Sequence, residues 1–243
     1  MSTSDTSPFR KKGFIAAATV VGIILLAGII VLVTTLFGGQ NETPPSSSPT
    51  ATTGSTPSPE PDADPSVCGL EGFETESSLE AAPKTTWELV GTVAAPTASE
   101  TTGPGLIDNG FRSCYAHTAE GALYAAVNYF ALASDTRNIP RLPELVEPGP
   151  GKDAALEQAT ESPTPSSTRL QVAGFAVNSY DDREAVIDVV WQVTSQDDAL
   201  VSSPTVLHWV DGDWKLVLTE EGAPPFASSE IENLGGYIPW SGI

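Results

Sequence analysis

The chain predicts an α+β domain held outside a membrane by a single N-terminal helix. Three observations lead there: a charge-free apolar run over residues 14–37, a Pro/Ser/Thr-rich stretch behind it, and a final third of long alternating segments that follows one strong helix pattern.

The run FIAAATVVGIILLAGIIVLVTTLF holds 24 residues without a charge. As a helix it would span roughly 36 Å, enough to cross the ~30 Å hydrocarbon core with some tilt. Arg10, Lys11 and Lys12 stand directly before it, and no basic residue follows until Lys84. That asymmetry predicts a cytoplasmic N-terminus over 1–12, a transmembrane helix over 13–38 and an extracytoplasmic remainder. A cleaved signal peptide would have a shorter apolar core, of about 7–15 residues, and a small-residue cleavage site. A lipoprotein would place a cysteine just after the run, whereas the first cysteine here is Cys68.

Residues 39–66 form the next segment, with seven prolines among Ser, Thr and acidic residues. So little of it can be buried that it reads as a disordered, semi-extended spacer, reaching on the order of 80 Å at ~3.1 Å per residue. Of 31 acidic and 11 basic residues, Asp5 and the basic trio precede the apolar run, which leaves 30 acidic and 8 basic residues beyond it, a net charge of −22. Such a surface repels phosphate backbones and argues against direct nucleic-acid binding. It serves solubility, or attraction to a basic partner.

The folded domain is expected over 67–243. Its two cysteines, Cys68 and Cys114, are the pair expected to form a disulfide in an oxidising compartment, two free buried thiols being the alternative. Two cysteines and two isolated histidines have no metal-ligand spacing, so no metal or cofactor is expected. Thr86–Val93 alternates as one strand, and Gly103-Pro104-Gly105 is a turn. Thr118 to Ser134 is the best helix: Thr118 caps it, Glu120 lies in its first turn, and Leu123, Val127 and Phe130 share a face. Gly121, Ala122, Ala125, Ala126 and Ala133 are small enough to admit a close neighbour. A weaker helix is expected over Lys152–Thr160.

Four strands follow, over Arg169–Ser179, Arg183–Ser195, Leu200–Val210 and Asp213–Glu220. Along the second, Ile187, Val189, Trp191 and Val193 line one face, and Glu184, Asp188, Gln192 and Thr194 line the other, which reads as solvated. Asp211-Gly212 is the strongest hairpin signal in the chain. A two-residue turn there pairs Trp209 with Trp214, Leu207 with Leu216 and His208 with Lys215. The tail Gly235–Trp240 is expected to tuck onto the domain without forming an element.

Candidates for chemistry are few. GxSxG, HExxH, P-loop and GxGxxG motifs are all absent from the sequence. His117 reads as a structural histidine beside the helix cap, and His208 as a strand-face residue. Asp188 is the one carboxylate that a cavity could turn into a base. No catalytic set is expected.

The block SCYAHTAEGALYAAVNYFALASD (113–135) resembles a segment of uncharacterised membrane proteins encoded on actinobacterial plasmids and integrative conjugative elements. So do TWELVGTVAAP (86–96), LHWVDGDWKLVL (207–218) and GYIPWSG (236–242). Helices followed by a long meander ending in a DGDW hairpin also resemble the cystatin-like cone fold of nuclear transport factor two and its relatives. The resemblance implies a bitopic, non-catalytic scaffold similar to the inner-membrane assembly component of type IV secretion and conjugation machines, with other envelope-complex proteins, or copies of itself, as partners. The alternatives are an accessory subunit of a cell-envelope lipid importer and a ligand-binding or enzymatic cone.

Overall fold

In a computed structural model, residues 64–77, 79–160, 169–196 and 198–241 are described. The apolar run, its basic flank and most of the spacer lie outside them. The described domain is α+β: helical segments pack on an antiparallel sheet. Among the described residues, no helix is long and apolar enough to cross a membrane.

Two short hairpins precede the main helix. β1 (Thr86–Val90) and β2 (Val93–Thr97) form the first. The single strand expected over Thr86–Val93 is therefore two strands. Gly91, at φ 59°, takes a left-handed conformation that glycine adopts without a Cβ penalty, and the chain reverses there. β3 (Leu106–Asp108) and β4 (Phe111–Ser113) turn at Asn109-Gly110, both with positive φ.

Helix α1 (Ala119–Ala133) is capped as the sequence predicts. The Thr118 hydroxyl accepts the Gly121 N–H at 3.1 Å, and Glu74 accepts the Ala119 N–H at 2.9 Å, so two of the free donors of the first turn are satisfied. Ala122, Leu123, Ala126 and Val127 are fully buried, and the alanines let β2 and the main sheet close on the helix. A 3-10 segment (Ile139–Leu145), with Pro140 and Pro143, and helix α2 (Pro150–Ala159) complete the helical layer.

The main sheet runs β10–β5–β6–β7–β8, where β5 is Leu170–Tyr180, β6 Glu184–Val193, β7 Ala199–Val210, β8 Asp213–Leu216 and β10 Ile238–Pro239. β9 (Ser229–Ile231) pairs with β7 at Leu200–Ser202, while β8 pairs with Leu207–Val210. Pro204 falls in the interval between them, where a missing ladder donor is tolerated. Register irregularities at Val172/Gly174 and Val177/Ser179 interrupt β5, a local bend of the kind bulges produce.

The hairpin register is the expected one: Trp209 faces Trp214, Leu207 faces Leu216 and His208 faces Lys215. Asp211 and Gly212 have φ of 54° and 75°, as a two-residue turn matching strand twist requires. Trp191, Trp209 and Trp214 are all buried, with Phe130 5.1 Å from Trp191 ring to ring.

The tail departs from expectation. It forms β10 on the edge of β5, opposite Phe175 and Gly174, and drives Trp240 into the core against Trp87, Tyr124 and Phe175. Gly174 is required here, because a Cβ would meet the Ile238 carbonyl at 2.9 Å. The folded domain also starts before residue 67. Ser66 is buried, Val67 N–H donates to the Gly212 carbonyl at 2.9 Å, and Trp209 Nε1 donates to the Asp64 carbonyl at 3.0 Å.

Candidate functional site

Cys68 and Cys114 are disulfide-bonded, with Cα atoms 6.2 Å apart and a sequence separation of 46. The bond fastens the N-terminal segment to the stretch leading into α1, a cross-link worth nominally ~3–4 kcal/mol. A disulfide is the chemistry of an oxidising compartment and fits an extracytoplasmic domain.

Asp213, at the start of β8, organises the same region. Its carboxylate accepts N–H groups from Cys114 (3.1 Å), Tyr115 (3.0 Å) and Trp214 (3.0 Å), and Lys215 Nζ lies 3.2 Å away. Burial pushes this carboxyl above its ordinary range, opposed by Lys215 and the N–H donors. The hairpin, the disulfide and the approach to α1 thus meet at one side chain.

The structure brings both histidines to one place. A groove of about 630 Å³ opens at the end of the sheet where β5 turns into β6 and β7 approaches its hairpin. His117 and Trp209 lie stacked on its wall, rings 3.8 Å apart and 5° from parallel, with Phe73 edge-on to His117 at 5.1 Å. His117 Nε2 donates to the Asp182 carbonyl at 2.6 Å, and the ring is 2% exposed. This is the structural histidine that the sequence predicts. His208 is different. Its Nδ1 lies 2.7 Å from Glu147 and its Nε2 3.1 Å from Glu184, and the side chain is one-third exposed. Burial alone would lower its pKa, but the two carboxylates outweigh that and raise it.

Acidic groups ring the groove. Asp64, Asp181, Asp182 and Glu184 line it, with Arg183 among them. The N–H groups of Arg183 and Glu184, each 2.8 Å from Asp181 Oδ1, form the turn and hold the Asp181 carboxyl below its usual range. A carboxylate rim of this kind suits the charge of a lysine or arginine side chain. The described residues contain no cluster of His, Cys, Asp and Glu able to hold a metal ion.

Asp188 lies apart from the groove, and the face expected to be solvated is covered at Asp188 itself, while Glu184 and Thr194 toward its two ends are exposed. Both its oxygens accept the Ser202 hydroxyl, at 2.9 and 2.8 Å, and Tyr237 of the returning tail donates to it at 2.9 Å. Alternation alone assigns Asp188 to the outer face of β6; the burial comes from the tail crossing that face.

The model of a domain of unknown function (DUF8175) matches residues 47–239. The chain belongs to the DUF8175 family. The match spans all the elements just described. It thus covers the groove, the disulfide and the Asp213 cluster, and reaches into the spacer. No curated protein and no solved structure matches the chain.

Proposed function

We propose that this DUF8175 domain is a non-catalytic docking and assembly subunit, tethered outside the membrane, of a conjugative DNA-transfer apparatus similar to type IV secretion. One observation carries the reading: His117 and Asp188 are committed to packing, while carboxylates gather around an open groove. His117 is stacked on Trp209, and Asp188, the residue an enzymatic cone would use, is closed over by Ser202 and Tyr237. The groove rim offers its acidic side chains, Asp182 among them, to a basic segment of another envelope protein. A helical layer on a long antiparallel meander agrees with the cone-fold resemblance, and the quoted segments supply the link to conjugative elements.

Tethering raises the local concentration of such a domain at the membrane without any new contact. The test exchanges residues 14–37 for a cleavable export signal, so that the domain is released outside the cell. Conjugative transfer should then fall to the level of the deletion strain. Full transfer by the released domain would overturn the reading.

A further inference from the structure

We propose that the Glu147–His208–Glu184 bridge is a proton-operated latch that fastens the chain between the 3-10 segment and α2 to the edge of the sheet. That connector lies alongside β8. Val146 bridges Leu216 in the parallel sense, and the Glu147 N–H donates to the Leu216 carbonyl at 3.0 Å. It covers the strand edge that β8 would otherwise present, and Val146 is 1% exposed. The Glu147 side chain then reaches back over the sheet to His208 on β7, which also holds its cross-strand neighbour Glu184 on β6.

The imidazole geometry makes this contact sensitive to protons. A protonated ring donates from both nitrogens and satisfies both carboxylates; a neutral ring has a single N–H. On deprotonation, one carboxylate about 3 Å away faces a lone pair and must move. Other titratable and charged groups share the groove with the ring: Asp181, Asp182 and Arg183 from the β5–β6 turn, Asp64 from the N-terminal segment and His117 from the approach to α1, while Lys215 of β8 is its cross-strand neighbour. Lys215 is engaged by Asp213, which leaves the carboxylates dominant around His208. The raised pKa agrees with that balance. The sign follows: the latch is fully closed below the ordinary histidine value and opens as pH rises through the native one.

The experiment uses the full-length chain in nanodiscs, where two histidines make the imidazole resonances simple to assign. NMR follows the protonation of His208, and hydrogen exchange, corrected for intrinsic base catalysis, follows the backbone around Glu147. His208 should titrate above the ordinary range, and protection at Glu147 should fall about tenfold over the same interval, the effect of one charge-assisted hydrogen bond. Glu147→Gln and His208→Gln should each remove the pH dependence while α1 stays protected. Protection at Glu147 that is flat through the His208 titration would overturn the proposal, as would His208 titrating below the ordinary value.

Discussion

Replacing Asp213 with alanine probes the point where three parts of the domain meet. The carboxylate is 2% exposed and accepts three backbone N–H groups, two of them from Cys114 and Tyr115, which are themselves buried. Alanine would leave those donors without an acceptor and Lys215 without its partner. An orphaned buried donor costs about 1–3 kcal/mol, and removing one partner of a buried ion pair about 3–5 kcal/mol. The effects share one site and do not add, so a total near 4 kcal/mol is expected. At roughly 2–4 °C per kcal/mol for a domain of this size, Tm should fall by about 8–16 °C. Asp213→Asn keeps one acceptor oxygen and the shape, and should lose about half as much. Thermal and urea unfolding of the full-length chain, oxidised throughout, measure both. A loss below ~1 kcal/mol for Asp213→Ala would refute the account of this side chain as an organising acceptor.

Trp214→Ala should cost roughly 3–5 kcal/mol by urea unfolding, since the ring is buried against Trp209 and Tyr180 and its Nε1 donates to the Ala116 carbonyl at 3.0 Å; a loss under ~1 kcal/mol would mean the strand faces are misassigned. Trp240→Ala should cost a similar ~3–5 kcal/mol and loosen β10, and proteolysis of the tail would report it. The oxidised, unfolded protein should show no titratable thiol before reduction, and two afterwards. For topology, a reporter fused after Ile243 should work outside the cell and fail in the cytoplasm.

Local signals carried much of the fold. Thr118 and Ser134 bound α1 because capping chemistry is local, and Asp211-Gly212 sets the β7–β8 register because turn length does. Other signals were present but weaker. Asn109-Gly110 is a hairpin pair, yet its strands are three residues each and show no alternation. Gly91 ends β1 inside a run whose alternation reads straight through it. Pro140 and Pro143 break the helical period, so the 3-10 segment left no pattern to follow. The groove is a different case. His117 and His208 come from the α1 approach and from β7, and Glu147 reaches His208 from a connector whose course only packing determines. Asp188 shows the same limit: period-2 alternation assigns its face, but a tail returning from residue 237 decides whether that face meets water.

The central claim is that the acidic groove docks a partner while Asp188 holds the tail. Conjugative transfer frequency tests it through two variants with intact folds, Asp182→Lys on the groove rim and Asp188→Asn beneath the tail. Docking predicts that Asp182→Lys loses transfer, and that Asp188→Asn, whose remaining oxygen can still accept Ser202 and Tyr237, transfers near normally. Loss of transfer in Asp188→Asn, with Asp182→Lys unaffected, would contradict the account and favour an enzymatic cone.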